Sequence, residues 1–255
     1  MNAPELALIG LPGLPVIQPG DNLASLIVDA FARAGLTVRD GDVLAVTSKI
    51  ISKAEGRFVV LDSVTPGDEA LRLAKVTGKD PRMVELVLQE SVAVVRAAPN
   101  VLVVRHRLGF VSANAGIDQS NVNGGEDMAL LLPVDPDASA QRLRAELGDR
   151  LGVQPAIVVS DSHGRPFRMG NVGVAVGAAG LPALRDLRGQ QDLFGRVLKI
   201  SMQGLADEIA SAANLVSGEG GEGLPIVLLR GLHFEPAHGR AADLVRPPEQ
   251  DLFRN

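Results

Sequence analysis

Two aspartates stand in company that could hold a hard cation. Asp118 lies in Ala-Gly-Ile-Asp-Gln-Ser-Asn with Asn121 close behind, and Asp161 lies in Val-Val-Ser-Asp-Ser-His-Gly-Arg, followed by Ser162 and Arg165. Oxygen ligands with a nearby arginine are what magnesium or manganese on a phosphate calls for, because these cations take few protein oxygens and complete their shell from phosphate and water. Each aspartate alone also reads as an ordinary turn residue. A third carboxylate would make a reasonable count for two metals. Two stand in the loop Ser217 to Leu224, where Gly218, Gly220 and Gly223 spell G-x-G-x-x-G around Glu219, Gly221 and Glu222. That loop follows a helical pattern and precedes a strand, the reverse of the order that a dinucleotide fingerprint requires. It reads either as a flexible connection or as a loop that approaches a phosphate, with Glu219 or Glu222 adding a ligand.

No G-x-x-x-x-G-K-[ST] occurs, so a phosphate here is not held by a Walker loop. Lys49 and Lys53 flank Ile50-Ile51-Ser52 just after a strand, where Ser48 and one ammonium could meet a phosphate or the lysines could simply be solvated. His106, between Arg105 and Arg107, is open to an anion-binding reading and to that of a soluble face. His163 has no second histidine at ligand spacing, and no Ser-His-Asp pattern or nucleophile elbow is present.

The elements that must position these residues alternate between helix and strand. Asp21 or Asn22 can cap a helix that runs through Leu23, Leu26, Ile27, Ala30, Phe31 and Ala34 to Gly35. Val43 to Val46 reads as a buried strand leading into Thr47-Ser48-Lys49, and Ala156 to Val159 as a strand that delivers Ser160-Asp161-Ser162 at its C-terminal end. Helices are predicted over Pro66 to Thr77, Arg82 to Ala93 and Ala138 to Leu151, with a helical stripe from Met202 to Val216. Strands are predicted at Val101 to Arg105, Arg196 to Ile200 and Pro225 to Leu229. Gly109 to Asp127 reads as a long functional loop. The fold class is α/β, neither Rossmann nor P-loop. The tail from His233 is expected to be peripheral.

Composition narrows the chemistry. The 255 residues are 46% hydrophobic and 22% charged, enough for one large domain or two interleaved lobes. Without cysteine, disulfides, thiolate nucleophiles and zinc-thiolate sites are excluded. A net charge of -5, with arginines dispersed, argues against a nucleic-acid partner. The apolar stretches are strand-sized, and the apolar N-terminal run is broken by Pro12 and Pro15 with no basic segment before it. The expectation is no membrane span, no signal peptide and a cytoplasmic address.

In order along the chain stand Gly-Leu-Pro near the start, Val-Thr-Ser-Lys-Ile-Ile-Ser-Lys with Glu55-Gly56-Arg57, Ala-Gly-Ile-Asp-Gln-Ser-Asn, Ser-Asp-Ser-His-Gly-Arg-Pro-Phe-Arg, and Ala-Asp-Glu-Ile-Ala. Together they resemble the coenzyme F420:L-glutamate ligase family from about Leu8 to Gly231. The resemblance implies a two-lobed mixed α/β fold over residues 1–232 that forms a homodimer, in the stand-alone form without a fused flavin-reductase-like domain. It implies a GTP-dependent enzyme, using Mg2+ or Mn2+ at two positions per site and with K+ as a further candidate ion. Such an enzyme adds L-glutamate to the deazaflavin precursor F420-0, then further glutamates through γ-linked amides, by way of an acyl phosphate. Carried over by position, Leu11, Pro12, Gly13, Leu14, Ser48, Lys53 and Asn121 match GTP contacts. Ser217, Gly218, Gly220, Gly221, Glu222, Gly223 and Leu224 match a further nucleotide-binding stretch. Asp118, Asp161, Ser162 and Glu219 match metal ligands. At His163 and Phe167 this sequence departs from the family motif. Two other readings stand beside this one: a metal-dependent phosphohydrolase, whose carboxylates would activate water, and a non-catalytic nucleotide-binding module.

Overall fold

The computed structural model describes residues 3–120, 122 and 127–251. Its centre is a five-stranded mixed sheet of order β1 (Ala7–Gly10), β12 (Ile226–Arg230), β2 (Val43–Thr47), β8 (Ala156–Arg165) and β9 (Arg168–Ala179). Only β2 and β8 run parallel, with Thr47 opposite Ser160. Side-chain alternation sorts this sheet into two faces. Leu44 and Val46 of β2, with Ile157 and Val159 of β8, pack under α1 (Leu23–Ala34) and α5 (Pro136–Leu151). Val43, Ala45, Ala156 and Val158 face α6 (Leu205–Ser217) on the other side. Both strands are buried on both faces, which is why they read as unbroken apolar runs.

Residues between α2 (Ser48–Ala54) and α5 form a second, smaller body. In it α3 (Asp68–Thr77) and α4 (Pro81–Gln89) cover a three-stranded sheet of β4 (Ser91–Ala98), β5 (Val101–His106) and β6 (Val111–Ala113). The pair β3 (Phe58–Val60) and β7 (Met128–Leu130) adjoins it. A short β10–β11 ribbon (Arg185–Asp186, Met202–Gln203) precedes α6. The tail after Leu232 is docked by backbone contacts: Asp137 accepts from the amides of Ala241 and Ala242, and Arg185 donates to the carbonyl of His233.

The α/β class stands, and the structure corrects three local expectations. The helix expected to reach Ala93 ends at Gln89, because Ser91 begins a strand containing the β-branched Val92, Val94 and Val95. Gly109 to Asp127 is not all loop: it holds β6 and a tight turn over Asn114–Gly116. Arg196 to Ile200 makes no strand; Val197 forms only an isolated bridge with Gln191. The small residues between Gly170 and Ala179 belong to β9, and glycines stand where helices press on that strand. A Cβ at Gly173 would stand 2.3 Å from the carbonyl oxygen of Ala210 in α6, and one at Gly177 would stand 2.4 Å from that of Pro136 in α5.

Candidate active site

The C-terminal ends of β2 and β8 and the start of the antiparallel β12 meet at one end of the central sheet. The amide of Thr47 donates to the carbonyl of Pro225 at 2.9 Å, which ties the glycine-rich loop to the mouth of β2. A cleft of about 400 Å³ opens there, lined by Ser48, Lys49, Lys53, Asp118, Asp161, Ser162 and Glu219 among others. That volume lies within the range of small-molecule sites.

Asp161 is a strand residue, not a loop residue after a strand. It pairs with Val174 across β8 and β9, just past a bulge between Val159 and Ser160. The bulge and the hairpin carry the polar motif beyond the buried part of the sheet and aim it into the cleft. Both Asp161 oxygens are held: Oδ1 accepts from Ser48 Oγ at 2.8 Å, and Oδ2 lies 3.0 Å from His163 Nε2. One lone pair on each oxygen remains for a cation. Left-handed backbone at Asn114, Ala115 and Gly116 brings the next loop against this carboxylate. A Cβ at Gly116 would stand 2.8 Å from Leu132 Cδ1 and 3.3 Å from Asp161 Oδ2, so glycine allows the approach.

That turn delivers Asp118, whose backbone bridges Leu130 in both directions. Its Oδ1 accepts from the amide and hydroxyl of Ser120, each at 2.7 Å, and its Oδ2 lies 2.6 Å from Lys49 Nζ. Burial works against ionising Asp118, but Lys49 and Ser120 outweigh it and hold the carboxyl below the usual carboxylate range. Lys53 is buried, and desolvation, then the neighbouring charge of Lys49, lowers its pKa against the pull of Asp118. Sequence reading left Lys49 without a partner, since the pair joins residues far apart in the chain.

The glycine-rich loop separates its two glutamates. Glu219 accepts from Ser162 Oγ at 2.5 and 2.6 Å and from Asn214 Nδ2 at 2.8 Å. Glu222 folds back to accept from the amide of Gly220 at 2.8 Å and is not among the cleft-lining residues, whereas Gly218, Gly220, Gly221, Gly223, Leu224 and Ser217 are. The residues Leu11 to Leu14 do not line the cleft either: Leu11 is fully buried in the core, and Gly13 offers its carbonyl to Arg33. Asn121 lies outside the described residues.

His163 is 8% exposed and forms a ring stack that sequence spacing does not reveal. Phe110 lies 4.9 Å from His163 on one side and 4.9 Å from the fully buried His106 on the other. His106 is therefore neither an anion site nor a soluble face. It leads to Glu90, whose carboxylate lies 3.1 Å from Arg57 and 3.0 Å from Arg107. Burial opposes the charge on Glu90, but His106, Arg107 and Arg57 together pull its carboxyl down to about 2. On its other side His163 borders a second cavity of about 300 Å³, where burial pushes the Asp207 carboxyl up.

A family profile described as F420-0:gamma-glutamyl ligase matches residues 13–231. The chain belongs to this ligase family. It is 44% identical over 252 residues to the coenzyme F420:L-glutamate ligase of Methanothermobacter thermautotrophicus, covering 98% of this chain and 99% of the relative. It is 42% identical over 253 residues to that of Methanocaldococcus jannaschii, covering 98% of each. The Halobacterium salinarum enzyme of the same name is 46% identical over 248 residues, covering 95% of this chain and 93% of the relative. Among the described residues no helix is long and apolar enough to cross a membrane.

The donor set can be tested against a divalent metal. Among the described residues no three His, Asp or Glu side chains close into a cage of their own. The cleft instead offers dispersed oxygens, Asp118 and Asp161 on one side and Ser162 with Glu219 on the other. An ammonium already rests on Asp118 where a cation would. Dispersed carboxylates that leave much of the shell to phosphate and water suit magnesium or manganese.

Proposed function

We propose that this family member is a GTP- and divalent-metal-dependent ligase that joins L-glutamate to the deazaflavin precursor F420-0 and then extends the product through γ-linked amides. The observation that carries the reading is the cleft that brings Asp118, Asp161, Ser162 and Glu219 together with two lysines and a glycine-rich loop. Phosphoryl transfer needs positioning and charge neutralisation more than a protein nucleophile, and that is what this cleft supplies.

In this reading the acceptor carboxylate attacks the γ-phosphorus of GTP, the bond to the β,γ-bridging oxygen breaks, and GDP leaves with that oxygen. The amine of glutamate then attacks the acyl carbon; the phosphate departs with the bridging oxygen, and the amine's proton passes to solvent. Ser48 and His163 hold Asp161 in one orientation, Ser120 holds Asp118, and Asn214 and Ser162 hold Glu219. Lys53 meets the phosphates from a buried position. Mg2+ or Mn2+, held by Asp118, Asp161, Ser162 and Glu219 at two positions, would neutralise the transferring phosphoryl group. The enzyme works as a cytoplasmic homodimer. Phe167 and Met169 at the β8–β9 turn, and Leu193, Phe194 and Ile200 in the β10–β11 arm, are almost wholly exposed and supply apolar surface for a second copy.

Trapping tests the acyl phosphate. With GTP, Mn2+ and F420-0 but no glutamate, hydroxylamine should yield the acceptor hydroxamate with one GDP formed per hydroxamate. GDP formation without hydroxamate points to a phosphohydrolase.

A further inference from the structure

We propose that Lys49 is a further catalytic residue of this ligation, resting on the cation position of Asp118 and passing to the terminal phosphate of the nucleotide when a divalent cation takes that position. The inference depends on the reading of the cleft as a metal and nucleotide site. It starts from the occupancy of Asp118. Oδ1 already accepts two hydrogen bonds from Ser120, so Oδ2 is the oxygen left for a cation, and there the Lys49 ammonium sits at 2.6 Å. An ammonium and a divalent cation compete for that face.

The ammonium is free to leave. Its remaining contacts are the carbonyl of Ser120 at 3.1 Å and the Ser120 hydroxyl at 3.4 Å, and the side chain is about a quarter exposed on a flexible four-carbon stem. It also has somewhere to go within the cleft. Lys49 and Lys53 line the same walls, so two side-chain cations face one cleft. A polyphosphate arriving with its cation brings oxygens for both. Lys49 would then donate to γ-phosphate oxygens as charge builds there during transfer, which is the moment when a positioned cation accelerates the step.

The test uses the full-length protein with Lys49→Met, which keeps the stem and removes the charge, Lys49→Arg, which keeps a cation, and Lys53→Met. Mn2+ binding is titrated without nucleotide by the electron paramagnetic resonance signal of free Mn2+. Lys49→Met should bind Mn2+ about fivefold tighter than wild type, the scale of a partly exposed ion pair. Lys49→Arg and Lys53→Met should stay within about twofold, well short of that gain. In glutamate-dependent turnover, kcat of Lys49→Met should fall about 100-fold, with KM for glutamate unchanged. A side chain that merely supports the fold would not tighten metal binding while slowing the reaction. Unchanged or weaker Mn2+ binding by Lys49→Met overturns the proposal, as does equal tightening by Lys53→Met, which would mark a general field effect, or an unchanged kcat. Wild-type protein that binds no Mn2+ and incorporates no glutamate overturns the reading of the cleft itself, a result separable from failure of Lys49 alone.

Discussion

Replacing Glu90 with glutamine should remove a stabilising charge whose contribution follows from its surroundings. The carboxyl is held at about 2 against an ordinary value of 4.5, and its side chain is only 12% exposed. A shift of that size corresponds to about 3 kcal/mol of preferential stabilisation of the charged form in the fold. Because the folded value is depressed, this stability is fully present above pH 4.5 and is lost as pH falls from there toward 2. Glu90→Gln should therefore lower the Tm at pH 7 by about 6–12 °C, taking the usual response of a chain of this size. The gap between the two proteins should narrow steadily between pH 4.5 and pH 2.5. Differential scanning calorimetry across that range is the assay. A gap that stays constant with pH, or is absent at pH 7, would refute the assignment of Glu90 as the charge that anchors Arg57, Arg107 and the ring stack.

Further consequences concern the cleft and the exposed surface. Gly116→Ala should cost about 1–2 kcal/mol from the left-handed backbone alone, more as the new Cβ presses on Leu132 and Asp161, and urea unfolding would show it; unchanged stability would contradict the close approach. His163→Phe keeps a ring against Phe110 but loses the hydrogen bond to Asp161, and should weaken Mn2+ binding about tenfold. His163→Gln, which retains an N–H at similar reach, should recover part of that loss; equal binding by all three proteins would remove the positioning role. Leu193→Asp combined with Phe194→Asp should halve the mass measured by light scattering, and an unchanged mass would place the subunit contact elsewhere.

Where periodicity and burial coincide, the sequence is readable. Helix α1 follows its apolar spacing from Leu23 to Ala34 with Asn22 as the cap, and β2 is a short apolar run at the position expected. Asp161 was legible as chemistry but not as strand, because Ser-Asp-Ser-His lacks apolar alternation and is held extended by pairing with β9, a partner visible only in three dimensions. The ion pair of Lys49 with Asp118 and the contact of His163 with Phe110 were hidden for the same reason: each joins residues distant in the chain. The separation of Glu219 from Glu222 depends on which way a glycine-rich loop folds, and spacing alone leaves that open.

The central claim is tested most directly by mass spectrometry of the deazaflavin product after incubation of the protein with F420-0, L-glutamate, GTP and Mn2+. The account predicts product heavier by whole glutamate residues, with one GDP formed per residue added and none added when Mn2+ is withheld. Release of phosphate from GTP at the full rate without glutamate and acceptor, and with no glutamate mass appearing, would contradict it.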